Sequence, residues 1–258
     1  MKIVIFAGGI GTRISEESHL KPKPMIEIGH EPILWHIMKI YLAQGFNEFV
    51  ICLGYKGHVI RDYFINYYLQ HSDFTVDLTN NQIELHEPTL DRFKVTLVDT
   101  GLNTMTAGRL NRVRRYVDGD TFMLTYGDGV ADIDLNQLAA HHRSHGKVCT
   151  LTAVRSERRF GELNLSAAGM VTAFEEKPGN KELWINGGFF VLEPTVFDYL
   201  KEDADRVMWE KQPLEDLTAA GELAGYQHRG FWRCMDALRD KVILEDFWAS
   251  GKAPWKIW

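Results

Sequence analysis

No stretch of this sequence is apolar for long enough to cross a bilayer, which takes about 20 residues. The apolar run near its start, Ile3 to Ala7, ends after five residues, too short for the core of a secretory signal peptide. The expected address is the cytoplasm. Cysteine is scarce too. Cys52, Cys149 and Cys234 are the only three, too few and too scattered for a disulfide framework or a thiolate metal cage. Nor is there an excess of positive charge. At a net charge of −6 the chain is ill suited to gripping a phosphate backbone by bulk electrostatics. Neither a nucleic-acid nor a membrane partner is expected, and any anion site must be local. No Ser/His/Asp or Cys/His constellation for nucleophilic catalysis stands out. No repeat, low-complexity tract or linker divides the 258 residues.

What the chain does have is the material of a large core: 45% of its residues are hydrophobic and 25% charged, an ordinary globular balance. Ile3 to Phe6 is a short β-branched run followed by glycines and reads as a buried strand. In "PILWHIMKIYLA", Pro32 to Ala43, one helical face carries Ile33, Leu34, Ile37, Ile40 and Tyr41, with Gly45 beyond the end. Glu48 to Gly54 reads as a second buried strand, and Val59, Ile60, Tyr63, Phe64 and Tyr67 as the next helical stripe. This alternation predicts an α/β fold, a single domain over 1–258. A mostly parallel, Rossmann-like central sheet is flanked by helices. Residues 72–87 interrupt the pattern: Phe74, Val76, Leu78, Ile83 and Leu85 alternate around Asn80-Asn81, which predicts a β-hairpin insertion. Lys94–Gly101 and Thr121–Gly129 return to strands. After Gly161 the chain becomes strand-rich, with a hairpin turning at Ala168-Gly169, and a helical stripe from Ala237 to Trp248 closes it.

The turn after the first strand, "AGGIGTR" from Ala7, is where a nucleotide belongs in such a sheet. The dinucleotide fingerprint fails, because a frame starting at Gly9 puts Ile14 where its third glycine should stand. The Walker pattern fails as well, for want of Gly-Lys-Ser/Thr. What remains is Gly9-x-Gly11-Thr12-Arg13, with Lys23 ten residues after Arg13 between Pro22 and Pro24. Exposed backbone N–H groups in such a loop cradle phosphate oxygens. Arg13 adds a planar fork and Lys23 a point charge.

These residues resemble the signature of the sugar-phosphate nucleotidylyltransferases. Members of that family join a sugar 1-phosphate to a nucleoside triphosphate and release pyrophosphate. Longer segments, among them "KPKPMIEIG", "TYGDGVAD", "INGGFFV" and "GKAPWK", resemble the branch that uses CTP and α-D-glucose 1-phosphate. Two positions depart from that pattern, His30-Glu31 and Ala107. The resemblance implies that residues of about 1–130 bind the nucleotide and those of about 131–258 the sugar. It further implies Mg²⁺ as cofactor, a homo-oligomer, and a place in bacterial surface polysaccharide (O-antigen) synthesis. Spacing alone leaves uracil and thymine open as bases, and other phosphates as acceptors. A catalytically silent nucleotide-sugar sensor on the same fold also remains open, although the joint presence of Arg13, Lys23, Asp128, Asp236 and Lys177 speaks against it.

Asp128 ends the strand "TFMLTYGD" between two glycines. "GDG" reads either as a plain turn or as a carboxylate on the ligand side of the sheet. Phosphoryl transfer favours the second reading, since Mg²⁺ is held by one or two carboxylates plus substrate phosphates. The resemblance supplies Asp236 as the other carboxylate, although an Asp directly before "ALRDKVILEDFW" also reads as a helix N-cap. It gives Glu176 hydroxyl contacts with the hexose and Lys177 the sugar phosphate, with Gly161, Asn186 and Gly188 around the sugar. From spacing alone each of these reads first as a turn or bulge residue. Base contacts are expected from Ala7 and Gly8 and from "MTAGR", through Thr106 and the N–H of Gly108. His141 and His145 stand at i, i+4, but His142 occupies the place of a zinc protease's glutamate, so no zinc is assigned. Arg13 and Lys23 are the expected catalytic cations.

Overall fold

The computed structural model describes residues 1–11, 14, 19–86, 91–117, 119–155, 162–166, 170–175 and 183–258. An eight-stranded sheet is the frame of the molecule. Its strands are β1 (Ile3–Phe6), β2 (Glu48–Leu53), β3 (Lys94–Asp99), β4 (Phe122–Tyr126), β5 (Cys149–Arg155), β6 (Trp184–Asn186), β7 (Phe190–Leu192) and β8 (Leu223–His228). β3, β2, β1 and β4 lie side by side in parallel. Antiparallel β7 joins β4 to β5. β6 also pairs antiparallel with β5, and β8 pairs with β5 in parallel. Only β6 and β7 are reversed, so the mostly parallel sheet expected from the alternation is present.

Helices α1 (Ile33–Leu42), α2 (Gly57–Ile65), α3 (Tyr67–Gln70), α4 (Thr106–Arg112), α5 (Arg114–Val117), α6 (Leu135–His145), α7 (Gln212–Ala219) and α8 (Leu238–Ala249) surround it. Strand alternation divides β1 between two cores. Ile3 and Ile5 join one apolar cluster with Ile33, Leu34, Ile37, Ile40 and Tyr41 of α1. Val4 and Phe6 join the other, with Leu110 of α4 and Val113 just beyond it. A strand covered on both faces needs the unbroken apolar run seen in the sequence.

The stripe expected to run through Tyr67 is split. At Asn66 (φ −96°, ψ 7°) α2 ends and α3 begins, and the Asn66 amide donates to the Asp62 carbonyl at 2.8 Å. That local bond competes with helix continuation. The insertion is a hairpin as predicted, Asp73–Asp77 against Gln82–His86, with Phe74 opposite Leu85 and Val76 opposite Ile83. Glu162–Leu165 and Val171–Glu175 pair as the second predicted hairpin. Its turn at Ala168-Gly169 lies outside the described residues.

The C-terminal residues close over α1. His36 is fully buried and its rings of neighbours are Trp35, Trp248, Trp255 and Trp258. Its Nε2 faces the Ile28 carbonyl at 2.9 Å, and Trp255 donates to Nδ1 at 3.4 Å. The imidazole is therefore neutral with its proton on Nε2.

Candidate active site

Strands β1 to β4 all end at one edge of the sheet, and a cavity of about 400 Å³ opens there. Ala7, Gly8, Gly9 and Gly11 of the first loop line it, with Lys23, Thr106, Asp128 and Asp236. Thr12 and Arg13 lie outside the described residues. The structure thus gathers Ala7, Gly8, Gly9, Gly11, Lys23, Thr106 and Asp128 of the predicted nucleotide side around one opening. Gly108 stands a layer further back, where a Cβ would meet Asp205 at 2.5 Å. The Thr106 hydroxyl accepts from the Trp209 N–H at 2.7 Å and donates to Glu210 at 2.9 Å, which leaves it one free lone pair.

Lys23 opens a short 3₁₀ turn, Lys23–Met25, anchored by buried Pro24 and Met25. Its Nζ lies 2.5 Å from Asp128 Oδ2 and 2.7 Å from Asp236 Oδ1. Burial works against the ammonium charge, but the Asp128 and Asp236 carboxylates outweigh it and hold the pKa above the ordinary lysine value. A small ribbon brings the two carboxylates together across the chain. Gly129–Ala131 pairs antiparallel with Trp232–Cys234, and the Met235 N–H donates to the Asp128 carbonyl at 2.8 Å. Asp236 is thereby delivered beside Asp128.

The N-cap reading of Asp236 does not hold. The cap of α8 is Ala237. The Asp240 carboxylate reaches back instead, accepting from the N–H groups of Asp236 at 3.2 Å and Ala237 at 3.0 Å. The Asp236 carboxylate instead accepts from Lys23 Nζ at 2.7 Å. Two carboxylates aimed at one cation form an all-oxygen donor set that fits Mg²⁺. Among the described residues no three His, Cys, Asp or Glu side chains form a complete cage, so substrate oxygens would complete the coordination. Cys234 donates to Asp236 at 3.6 Å. Burial, reinforced by the Asp236 and Asp128 charges, pushes its thiol up to about 12, so it is no nucleophile at neutral pH.

A second cavity, of about 1020 Å³ among the described residues, adjoins the first and shares Tyr126, Asp128, Met208 and Asp236 with it. Asn186 lines it, donating to the Tyr126 hydroxyl at 3.2 Å and accepting from the Gly188 N–H at 2.9 Å. Gly188 (φ +74°) backs onto the Tyr126 ring. Gly161, Glu176 and Lys177 lie outside the described residues. Of the two departures from the family pattern, His30 is exposed, and Glu31 and Ala107 belong to the scaffold. Glu31 accepts from Tyr63 at 2.9 Å and pairs with His71 at 2.8 Å, while Ala107 is fully buried.

Two histidines of α6, His142 and His145, serve a hydrogen-bonded chain. Lys147 donates its N–H to His145 Nδ1, which fixes the His145 proton on Nε2 toward Thr150. The Thr150 hydroxyl then donates to His142 Nδ1 at 2.7 Å, and His142 Nε2 donates to Glu193 at 3.1 Å.

Tyr126, Glu210 and Arg109 escaped the sequence reading as site residues. Burial and then the nearby Glu210 charge raise the Tyr126 phenol well above its usual range, so it stays protonated between the cavities. The signal for Arg109 was available: a cation beside Ala107, Gly108 and Leu110, all buried on one short helix.

The nucleotidyl transferase family profile matches residues 2–237. The chain is 54% identical to the glucose-1-phosphate cytidylyltransferase of Salmonella typhi over 259 aligned positions, covering all of both chains. It is 28% identical to the D-glycero-alpha-D-manno-heptose 1-phosphate guanylyltransferase of Campylobacter jejuni, covering 84% of each. In fold it is similar to a crystal structure of UDP-glucose pyrophosphorylase complexed with UDP-glucose. That likeness has a TM-score of 0.70 at 14% identity and covers 97% of this chain and 98% of that one.

Proposed function

Because the chain belongs to the nucleotidyl transferase family, we propose that it transfers the cytidylyl group of CTP to α-D-glucose 1-phosphate, giving CDP-glucose and pyrophosphate. The observation that carries this reading is its end-to-end likeness to the Salmonella typhi cytidylyltransferase. The cavity behind the glycine loop takes the nucleotide, so residues of about 1–130 form the nucleotide part. The larger cavity takes the sugar phosphate, mostly from residues of about 131–258.

The geometry suits a direct in-line displacement. An oxygen of the sugar phosphate, already anionic at neutral pH, attacks the α-phosphorus of CTP. The new P–O bond forms as the bond from the α-phosphorus to the bridging oxygen of the β-phosphate breaks, and pyrophosphate leaves on the opposite side. No proton has to be taken from the nucleophile, so alignment and charge stabilisation supply the catalysis. Lys23 neutralises charge at the reacting phosphate. Arg13 and the Gly9–Thr12 backbone hold the departing pyrophosphate, with Ala7, Gly8, Thr106 and Gly108 on the base side. Lys177 steers the incoming phosphate, while Glu176, Asn186, Gly161 and Gly188 position the hexose. Asp128 and Asp236 would hold Mg²⁺, which when bound offsets the negative charge of the phosphates. Assembly as a homo-oligomer, a cytoplasmic setting and service to O-antigen synthesis complete the reading.

The test is pyrophosphate release from α-D-glucose 1-phosphate with CTP, UTP, dTTP or ATP, with and without Mg²⁺. Magnesium-dependent turnover with CTP alone is expected. Turnover confined to another nucleotide would retain the chemistry and sink the cytidylyl assignment.

A further inference from the structure

Glu210 lines the larger cavity, and its carboxylate is held by two hydroxyls from the wall toward the first. Thr106 donates to Oε2 at 2.9 Å, and Tyr126 donates to the same carboxylate. A carboxylate has no proton to give, so both hydroxyl protons are committed to it. The hydroxyl oxygens are fixed from behind, Thr106 by the Trp209 N–H at 2.7 Å and Tyr126 by the Asn186 amide at 3.2 Å. The backbone that bears Glu210 is stitched to the start of α4. Met105 N–H donates to the Asp205 carbonyl at 2.9 Å and Ala107 N–H to the Val207 carbonyl at 3.2 Å. Trp209, the residue before Glu210, is fully buried in the second core. The carboxylate therefore stands on a rigid support, which selective recognition needs.

Its partners leave it unfinished. A carboxylate offers about four acceptor positions, and these two neutral hydroxyls take one each. The residue is half-buried and its remaining surface belongs to the cavity. A negative group there repels a phosphate and accepts from a hydroxyl. The wall decides which hydroxyl. On the proposed displacement, the phosphate of the sugar lies where the cavities meet, beside Tyr126, Asp128 and Asp236. The hydroxyl nearest the phosphate-bearing carbon is the one on C2, and Tyr126 holds Glu210 beside that wall.

We infer that Glu210 accepts the C2 hydroxyl of the incoming hexose 1-phosphate and selects for sugars that carry it. The inference rests on the larger cavity being the sugar-phosphate site. Losing a hydrogen bond to a charged acceptor leaves that acceptor unpaired in a built site. Wild-type protein should therefore use 2-deoxy-α-D-glucose 1-phosphate with a kcat/KM about 10- to 100-fold below that for α-D-glucose 1-phosphate. In Glu210→Ala the two substrates should differ by about threefold or less, because the acceptor is missing for both. The 4-deoxy analogue is the control, and its disadvantage should be the same in wild type and variant. Tyr126→Phe separates contact from positioning. It keeps the carboxylate, so it should still disfavour the 2-deoxy substrate by about fivefold or more.

The experiment measures kcat/KM for the three sugar phosphates with CTP, and the melting temperature, in wild type and variants. Selective loss of the 2-deoxy penalty in Glu210→Ala, with the penalty kept in Tyr126→Phe, supports the inference. A penalty that survives in Glu210→Ala would overturn it, as would one lost in Tyr126→Phe, which would make the phenol the reader. Equal changes for the 2-deoxy and 4-deoxy substrates would also overturn it, since they mark a general loosening of the cavity. If Glu210→Ala does not fold, Glu210→Gln decides. Its neutral acceptor should reduce the 2-deoxy penalty about threefold or more, and an unchanged penalty would overturn the inference. Wild-type protein that uses both sugars equally sinks this inference alone. Wild-type protein that turns over α-D-glucose 1-phosphate with no nucleotide strikes the functional reading itself, before any variant is made.

Discussion

Lys23 is bound to one oxygen of each carboxylate proposed to hold the divalent ion, so on that proposal ammonium and metal would compete for one place. Replacing Lys23 by Met should therefore tighten Mn²⁺ binding to the nucleotide-free protein, read by electron paramagnetic resonance. The same variant should lose about 10²–10³-fold in kcat, by analogy with removal of a preorganised charge-stabilising group. Unchanged Mn²⁺ affinity would mean that the lysine does not occupy the metal position. Asp236→Asn should lower activity and metal affinity while the melting temperature moves little, because the capping work at α8 belongs to Asp240. At this scale the sequence was legible where a residue's neighbours announce its chemistry, as for Lys23 between prolines and Asp128 between glycines. It misled where two residues compete for one task. Asp236 stands where a cap is expected, yet the side chain that reaches the backbone is Asp240, four positions on, and only the helix geometry decides between them.

Elements carry those residues to each other. The ribbon formed by Gly129–Ala131 and Trp232–Cys234 sets Asp128 against Asp236. Meanwhile α8 reaches the loop that follows Lys23, where Glu245 accepts the Gly29 N–H at 2.9 Å. One helix therefore holds both the segment bearing Asp236 and the segment trailing Lys23. Asp240→Ala would leave two N–H groups near the start of α8 without their acceptor, and a loss of about 1–2 kcal/mol in denaturant unfolding is expected. Activity should fall further than stability, because the residue freed to move is Asp236. The strands β1 to β4 and the helix α1 were legible because burial on both faces or on one stripe leaves a periodic trace. Asn66 left no such trace, since one side-chain hydrogen bond to Asp62 is enough to divide a helix that the apolar stripe runs through. The ribbon was equally silent, as three-residue strands are too short to show a period.

For the whole molecule, the buried His36 makes closure of the C-terminus sensitive to acid. Burial lowers its pKa from 6.5 to about 4. Between those values the unfolded chain takes up a proton that the folded chain refuses, so stability is complete above pH 6.5 and falls as the pH approaches 4. The accumulated loss is about 3 kcal/mol. Urea unfolding at pH 7.5, 6 and 5 should show the decline, and His36→Gln should flatten it. A profile unchanged by that substitution would assign the acid sensitivity to other groups. The largest consequence lies in the wall that the two cavities share. Tyr126, Asp128, Met208 and Asp236 border both, so on the proposed assignment of the cavities the two substrates would meet across a wall they share. Double-reciprocal plots should then intersect rather than run parallel, the mark of a ternary complex with no nucleotidylated protein between two half-reactions. CDP-glucose, long enough to lie across both chambers, should inhibit as a two-headed ligand that competes with each substrate in turn.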